Sequence, residues 1–420
     1  MPTYRRPRGA ADVLPEEQRY WRHIEAVAAE QCRRYGYQRI DTPVFEDAGL
    51  FTRAVGAGTD IVEKETYTFQ DRGGDSLTLR PEGTAPVCRA YLEHGMFNLP
   101  QPVRLYYFCP VFRYERPQAG RYREHHQFGI EALGEAGASI DAEVVQFAWE
   151  LTGALGLKGL TLLINSIGDR SCRPGYVQRL KEYYASHIDE VCHDCRARLE
   201  RAPLRLLDCK QPGCQAVARG APRSVDHLCE ACAAHWDELQ GHLAHLNIPY
   251  EVDHRLVRGL DYYTRTVFEI QPPDERGQST ILGGGRYDGL IEELGGRPTP
   301  GIGFATGMER LALNLKRQEA QVAAPSRPVV VAYVGAQALR EALRVAGQLR
   351  SAGLTAILAP NTKSVKGQLR FASAQDAPYV VILGEDELRK GVAALKEMSS
   401  GVQREVPLAE LASALKQGQD

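Results

Sequence analysis

The stretch VRLYYFCPVFRY, residues 103–114, decides the fold class of this chain. Its apolar and aromatic side chains are typical of a buried β-strand. A polar segment follows from Glu115 to Glu124, and the chain becomes apolar again at Phe128–Ile130, so the pattern predicts a β-hairpin with a long basic loop. Further strand-like segments are Leu160–Ile164, Val267–Ile270 and Gly301–Ala305. Because these segments do not alternate regularly with helices, we expect an α+β fold whose antiparallel sheet is flanked by helices.

The chain before the hairpin contains a helix signal and a strand signal. Pro15 and the acidic residues after it favour a helix start, and Gly36 favours its end near Tyr35. Apolar residues between these points recur at helical spacing, which gives the helix one face to bury. From Tyr37 to Val44 the residues roughly alternate, and Pro43 restricts this segment to a sheet edge or a strand end.

Two later stretches are predicted to be separate modules. Residues 172–250 are polar and helical in pattern and interrupt two β-rich regions, as an inserted domain would. After a linker at Arg317–Pro328, strand and helix signals alternate strictly up to Gly384, which predicts a small α/β domain with a parallel sheet. The expected bounds are 1–171 and 251–325 for the two parts of the main domain, 172–250 for the insertion domain and 327–420 for the C-terminal domain.

Composition excludes several classes of protein. The 51 basic and 53 acidic side chains give a net charge of −2, so no global positive field attracts nucleic acid, and any such partner must be bound by local patches. The apolar runs fall well short of the roughly 18 residues that a membrane span needs. The basic N-terminus is not followed by the apolar stretch of a signal peptide. We therefore expect a cytoplasmic protein that does not enter a membrane.

The motifs of the commonest nucleotide-binding folds are missing. The sequence has no Gly-Lys-Ser or Gly-Lys-Thr, which excludes a P-loop. The glycine run Gly301–Gly307 has the wrong spacing for a dinucleotide fingerprint.

Arginines mark the first candidate binding segment. The predicted hairpin loop carries Arg113, Arg116, Arg121 and Arg123 against the single acid Glu115, a net charge of +3. Guanidinium groups suit phosphate oxygens, so the loop could close over a polyanionic ligand, although a solvated turn would have the same composition.

Two further candidate segments combine glycine with tyrosine or arginine. Leu256–Thr266 places Arg258 next to a glycine and a pair of tyrosines, which could bind a ligand or belong to the core. Gly283–Gly289 begins with three glycines, which permit close approach of the backbone to a ligand or form a tight turn.

Six of the ten cysteines lie between Cys192 and Cys232. In a reducing compartment such clustering indicates a metal site rather than disulfides. Two Cys-x-x-Cys pairs are expected to supply the four thiolates of one structural zinc site, with Cys209 and Cys214 between the pairs. The expected ligands are Cys192, Cys195, Cys229 and Cys232. Buried free thiols are the alternative.

Taken in order, these segments resemble the histidyl-tRNA synthetases, a family of class II aminoacyl-tRNA synthetases. The segments similar to class II motifs 1, 2 and 3 are Pro15–Asp47, Phe112–Arg121 and Gly301–Leu311. Two signatures of the histidine family resemble Leu256–Phe268 and Gly283–Leu290. The resemblance covers essentially the whole chain and implies a catalytic main domain and a C-terminal anticodon-binding domain.

The resemblance implies a ligase that works in two steps. The carboxylate of L-histidine attacks the α-phosphorus of ATP, which gives histidyl-adenylate and pyrophosphate, with Mg²⁺ accompanying the pyrophosphate. The histidyl group then passes to the 3′ end of histidine tRNA. The family further implies a homodimer formed through the motif 1 region.

Functional residues of the family carry over to matching positions of this chain. The implied catalytic residues are Arg113 and Arg258, which contact the α-phosphate. The implied ATP-binding residues are Arg113, Glu115, Arg121 and Arg310. The implied histidine-binding residues are Glu82, Gly83, Thr84, Gln127, Glu131, Arg258, Tyr262 and Tyr263. His125 departs from the pattern, since the family usually has an aromatic residue such as phenylalanine at this place.

Three alternatives stay open at this point. The first is a non-catalytic paralogue that regulates histidine biosynthesis, which typically lacks the anticodon domain. The second is a class II synthetase for glycine, proline or threonine, against which Leu256–Thr266 argues. The third is a zinc-bearing tRNA-binding module without activity. Pyrophosphate exchange that depends on one amino acid distinguishes all three from a histidine enzyme.

Overall fold

The computed structural model describes residues 4–55, 64–115, 122–273, 280–361 and 363–417. The chain divides into two compact units, Met1–Val322 and Ala323–Asp420. The expected insertion domain, residues 172–250, belongs to the first unit in this division. Across the described ranges, no helix combines the length and the apolar character that crossing a membrane requires.

A large sheet organises the first unit. In chain order, the strands of this unit are β1 (Gln38–Arg39), β2 (Phe45–Asp47), β3 (Tyr67–Gln70), β4 (Ser76–Leu79), β5 (Val103–Phe112), β6 (Glu124–Leu133), β7 (Thr161–Ser166), β8 (Glu251–Val252), β9 (Thr264–Gln271), β10 (Leu282–Arg286) and β11 (Gly301–Gly307). The large sheet has the order β1-β5-β6-β11-β10-β9-β7-β8. Its strands from β5 to β7 pair antiparallel, while β1 and β8 pair parallel at the two edges. The remaining strands form a small antiparallel sheet, β2-β4-β3. The predicted α+β fold is confirmed.

Helices pack against both faces of the large sheet. In chain order, the helices of the first unit are α1 (Gln18–Arg34), α2 (Ala48–Val55), α3 (Thr84–Glu93), α4 (Ala138–Ala154), α5 (Arg173–Ser186), α6 (His193–Arg201), α7 (Pro212–Arg219), α8 (Glu230–His245), α9 (Leu290–Glu293) and α10 (Met308–Arg317). Successive residues of a strand point to opposite faces, so Phe268 and Val267 of β9 enter different core clusters. Phe268 packs with residues of α1, α4, α8 and α10. Val267 packs with residues of α2, α3 and α5.

The predicted hairpin is present as β5 and β6. The two strands are joined in register from Val103 opposite Leu133 to Phe112 opposite Glu124. The loop positions Arg116 and Arg121 lie outside the described residues. The predicted first helix is also confirmed as α1, Gln18–Arg34. The chain turns after this helix at Gly36, which has a positive φ of 73°.

The run of three glycines forms a central strand rather than a turn. Gly283, Gly284 and Gly285 lie in β10, which is hydrogen-bonded to β9 on one side and to β11 on the other. A Cβ atom added at Gly284 would come within 2.2 Å of the carbonyl oxygen of Gly303. Close approach of two strands therefore accounts for glycine at this position.

The second unit contains the predicted alternation of strand and helix. Its elements are β12 (Val329–Tyr333), α11 (Ala336–Ser351), β13 (Ala356–Leu358), α12 (Val365–Ala374), β14 (Tyr379–Leu383), α13 (Glu385–Lys390), β15 (Val392–Glu397), β16 (Gln403–Pro407) and α14 (Leu411–Lys416). The sheet order is β13-β12-β14-β15-β16, and the first three strands are parallel, as predicted. The last two strands extend the sheet antiparallel. Of these two strands, β16 had no clear sequence signal, because it is a largely exposed edge strand with polar residues.

Candidate active site

A cavity of about 230 Å³ lies in the first unit, next to the glycine-rich strand β10. Nine of the residues expected in the site line it: Glu82, Thr84, Arg113, Glu115, Gln127, Arg258, Tyr262, Tyr263 and Arg310. They come from segments that are far apart in the sequence, and the hairpin and β10 bring them together. Gly83 precedes α3, and an added Cβ there would lie 2.3 Å from the ring of Tyr107. The expected ATP-binding residue Arg121 lies outside the described residues.

Glu82 is fixed at the start of helix α3. One oxygen of its carboxylate accepts a hydrogen bond from the backbone N–H of Thr84 at 2.6 Å, and the other accepts from the N–H of Ala85 at 2.8 Å. These donors are N–H groups of the first helical turn, which have no partner inside the helix. Burial raises the pKa of Glu82, while the two N–H groups and Arg113 counteract the rise. The carboxylate is therefore held in one orientation at the cavity wall.

Glu131 on β6 is buried and surrounded by hydroxyl groups. Its carboxylate accepts from Thr84 Oγ1 at 2.8 Å, from the Tyr107 hydroxyl at 3.1 Å and from the Tyr287 hydroxyl. Burial raises its pKa to about 8, although these hydrogen bonds oppose the shift. Sequence analysis missed Tyr107 and Tyr287. The strict alternation of buried residues along β5 would have placed Tyr107 on the same face as Cys109.

The raised pKa of Glu131 makes stability depend on pH. Between about pH 4.5 and pH 8 the folded chain binds this proton more tightly than the unfolded chain, so the free energy of unfolding falls as the pH rises. We expect the melting temperature of the wild-type chain to drop more between pH 5.5 and pH 8 than that of Glu131→Gln. Thermal melts at both pH values measure the difference. Parallel pH curves for the two proteins would contradict the assignment.

Three arginines from three separate segments of the chain reach the cavity. Arg113 follows β5 and donates from Nε to the carbonyl of Pro81 at 2.7 Å. Arg310 lies in the first turn of α10 and donates to the carbonyl of Thr280 at 3.0 Å. Arg258 precedes β9 and forms an ion pair with Glu269. Since the guanidinium groups of Arg113 and Arg258 are each anchored on one side, their remaining N–H groups are preorganised donors for an anion.

Several enclosed polar atoms at the cavity have no hydrogen-bond partner within the described ranges. They are Nε of Arg258, Oε1 of Gln127 and Nδ1 of His125. Buried polar atoms in folded proteins are nearly always hydrogen-bonded, so these atoms indicate a polar ligand. Burial lowers the pKa of His125 to about 3, and the charges of Arg113 and Arg310 add to the effect. This histidine is therefore neutral at physiological pH.

Arg286, which belongs to the candidate segment Gly283–Gly289, has a structural role in the protein interior. Its side chain is fully buried, and it forms an ion pair with the equally buried Asp141 of α4. It also donates to the carbonyl of Glu135 at 3.0 Å, to that of Gly137 at 3.1 Å and to the carboxylate of Asp288 at 2.9 Å. This arginine links β10 to the start of α4.

The two Cys-x-x-Cys pairs do not converge on one site, so the expected set of zinc ligands is corrected. Cys192 and Cys195 group with the two cysteines between the pairs; this insert cluster consists of Cys192, Cys195, Cys209 and Cys214. Cys229 and Cys232 belong to a different group; this root cluster consists of Asp169, Cys172, Cys229 and Cys232. The physical reason is that the pairs lie at the starts of two separate helices, α6 and α8. Sequence analysis missed Asp169 and Cys172, which lie outside the stretch of clustered cysteines.

Comparisons with known families match almost the whole chain. The model of the family described as histidyl-tRNA synthetase matches residues 9–311. The model described as anticodon binding domain matches residues 328–418. Together the two matches cover both compact units.

Individual relatives agree with the family models. Histidine–tRNA ligase of Dehalococcoides mccartyi strain 195 is 57% identical over 414 residues, which cover 98% of this chain and 99% of the relative. Histidine–tRNA ligase of Desulfitobacterium hafniense strain DCB-2 is 50% identical over 404 residues, 96% of this chain and 95% of the relative. The crystal structure of apo histidyl-tRNA synthetase from S. aureus superposes with a TM-score of 0.81 at 37% identity, covering 98% of this chain and 99% of that one. This chain therefore belongs to the histidyl-tRNA synthetase family.

Proposed function

We propose that this chain is a histidine–tRNA ligase that activates L-histidine with ATP and transfers it to the 3′ end of histidine tRNA. The observation that carries this proposal is the cavity itself, where a fixed carboxylate, paired tyrosines and three arginines lie side by side. Relatives that are 50–57% identical over nearly the whole chain bear the name histidine–tRNA ligase. The fold and the site chemistry agree with that activity.

The arginines are proposed to bind the triphosphate. Attack on the α-phosphorus requires in-line positioning and the stabilisation of negative charge on phosphate oxygens. Arg113 and Arg258 are proposed to contact the α-phosphate from two sides. Arg310 is proposed to bind the adenine ring or the γ-phosphate, and Glu115 and Arg121 are proposed to complete the ATP site.

The carboxylates and hydroxyls are proposed to bind histidine. Glu82 is suited to the α-ammonium group because it is a buried carboxylate in a fixed orientation. Thr84 and Gln127 are proposed to hold the same polar end of the amino acid. Tyr262 and Tyr263 are proposed to contact the imidazole together with Glu131, whose own hydroxyl contacts position it. Hydrogen bonds to the ring would reject amino acids that lack it.

Magnesium is proposed to arrive with ATP as part of the substrate. Besides Glu82, the carboxylates that line the described part of the cavity are Glu115 and Glu309. Carboxylate oxygens suit a hard cation. Both oxygens of Glu309 accept from the backbone N–H of His126. The chain's own contribution is the orientation of the phosphates by the arginines.

The partners and location of the enzyme are proposed from the family and from two features of the structure. The match of residues 328–418 to an anticodon-binding domain supports recognition of histidine tRNA by the second unit. Exposed large apolar residues support a homodimer, since an interface would bury their side chains. In and near the motif 1 region these are Val44, Phe45, Phe69, Phe97 and Leu99. We propose a cytoplasmic location.

Exchange of labelled pyrophosphate into ATP tests the proposed function. Each of the twenty amino acids is supplied singly with ATP and Mg²⁺, and we expect exchange with histidine alone. Aminoacylation of total tRNA with labelled histidine then tests the second step. Absence of exchange would favour a regulatory paralogue or a binding module, and exchange with another amino acid would favour a different class II synthetase.

A further inference from the structure

We propose that each chain binds two structural zinc ions, one in the insert cluster and one in the root cluster. The expectation from the sequence was one ion held by both Cys-x-x-Cys pairs. The structure instead places each pair with a different second pair of ligands, and in each group the four candidate ligand atoms lie within 4.8 Å of one another. The proposal does not depend on the enzymatic activity.

The insert cluster has the dimensions of a tetrahedral thiolate site. Zinc–sulfur bonds of about 2.3 Å in a tetrahedron place the sulfur atoms about 3.8 Å apart. The sulfur atoms of Cys192 and Cys209 are 3.9 Å apart. The backbone N–H of Cys192 donates to the sulfur of Cys214 at 3.1 Å, a secondary contact of the kind that orients metal ligands.

The root cluster offers three thiols and one carboxylate. Oδ1 of Asp169 is 3.7 Å from the sulfur of Cys172 and 4.0 Å from that of Cys229. A tetrahedral zinc with one oxygen ligand would place oxygen and sulfur about 3.6 Å apart. The other carboxylate oxygen, Oδ2, is 3.3 Å from Arg265, which fixes the orientation of the carboxylate. Oδ1 is therefore directed at the sulfur atoms as a single ligand atom.

The two clusters share one local design. Cys192 immediately precedes α6 and Cys195 is its third residue. Cys229 and Cys232 occupy the same positions at the start of α8. Each pair therefore presents two sulfur atoms from one helical turn, and the remaining ligands come from other segments. Each Cys-x-x-Cys pair therefore forms half of a metal site, and a different set of ligands completes each half. This arrangement favours two ions, one in each cluster, over a single ion held by both pairs.

Free thiols explain the arrangement less well than metal ions do. All ten cysteines are unpaired, so no disulfide consumes these sulfur atoms. Cys172, Cys192, Cys209 and Cys229 are all partly exposed, whereas structural free cysteines are usually buried in apolar surroundings. The helices that carry the insert cluster, α6 and α7, have 9 and 8 residues, which is too short for independent stability. Metal ligation would supply the cross-links that these short helices need.

Elemental analysis of the full-length protein tests the proposal. We expect two zinc ions per chain after purification without chelator and reconstitution with Zn²⁺. Cys195→Ser should remove the ion of the insert cluster and leave one, and Cys232→Ser should remove the ion of the root cluster and leave one. Asp169→Ala changes the root cluster less than Cys232→Ser does, because it keeps all three thiols. This variant should also leave one ion per chain. Replacement of zinc by Co²⁺ should give the visible bands of tetrahedral thiolate sites.

Two matched controls lie between the ligands. His193→Ala and Glu230→Ala each change an exposed residue inside a Cys-x-x-Cys pair and should retain both ions. Circular dichroism establishes that each variant is folded before its metal is counted. A wild-type protein with one ion or none would overturn the proposal, and so would a loss of both ions from a folded single-cluster variant.

Discussion

Replacing Arg258 with alanine is expected to lower histidine-dependent pyrophosphate exchange by about 10²- to 10³-fold. The side chain lies at the cavity, its guanidinium is held by Glu269, and its enclosed Nε has no partner in the described part of the chain. An anchored donor of this kind is most valuable where negative charge develops during displacement at phosphorus. Glu269 retains hydrogen bonds from Thr280 at 2.7 Å and Gln271 at 3.0 Å, so its carboxylate is not left without donors in the variant.

Two assays distinguish an effect of Arg258→Ala on catalysis from an effect on tRNA binding. Exchange rates report adenylate formation, and a filter-binding titration with histidine tRNA reports recognition, which we expect to stay near the wild-type value. A melting curve checks that the variant is folded. Unchanged exchange in a folded Arg258→Ala protein would remove this arginine from the mechanism.

A second variant displaces Arg258 without deleting it. A Cβ atom at Gly283 would lie 2.7 Å from the guanidinium carbon of Arg258, so Gly283→Ala must move the side chain. Misplacement of a catalytic group by about 1 Å can cost up to about 10²-fold in rate, and we expect a loss on that scale. Gly289→Ala is the matched control, because its added Cβ meets only the exposed end of Arg170. Equal activities of the two alanine variants would contradict the proposed role of Arg258.

The sequence predicted those parts of the fold that depend on local pattern. The hairpin was predicted because an apolar stretch at residues 103–114 is followed by a polar segment and then by apolar residues from Phe128. The parallel strands of the second unit were predicted because apolar runs alternate with helical segments. The strand order of the large sheet was beyond such reasoning, since β6, β11 and β10 are neighbours although more than 140 residues separate β6 from β10 along the chain. Long-range pairing is set by tertiary packing, which a local pattern does not encode.

The sequence likewise predicted only part of the candidate site. Residues that belong to recognisable motifs were identified, and nine of them line one cavity. Tyr107 and Tyr287 were missed because a buried tyrosine has the same sequence signal whether it fills the core or supports a carboxylate. The two Cys-x-x-Cys pairs were expected to form one site, whereas the structure places them in two clusters, because the partners of each pair depend on how the insert folds. Spacing along the chain identified the cysteine pairs, and only the structure assigned their partners.

Replacing Arg286 with methionine is expected to destabilise the first unit by about 3–5 kcal/mol. The side chains of Arg286 and Asp141 are both fully buried, and the variant leaves the Asp141 carboxylate in the interior with only a weak neighbour, His235 at 3.4 Å. Burial lowers the pKa of His235, which opposes a positive charge on this ring beside Asp141. An uncompensated buried carboxylate is among the most costly single changes in a protein interior.

Tryptophan fluorescence during urea unfolding measures the loss of stability in the first unit. Trp21, Trp149 and Trp236 are the three tryptophans of the chain, and all lie in the first unit, so their signal does not report on the second. Arg33→Met is the matched control, because Arg33 pairs with Glu30 on an exposed helix surface where such a pair contributes little to stability. The double variant Arg286→Met, Asp141→Leu removes the orphaned charge and should recover part of the stability. If the single and double variants are equally unstable, the loss comes from the hydrogen bonds of Arg286 to the backbone before α4 rather than from the buried charge of Asp141.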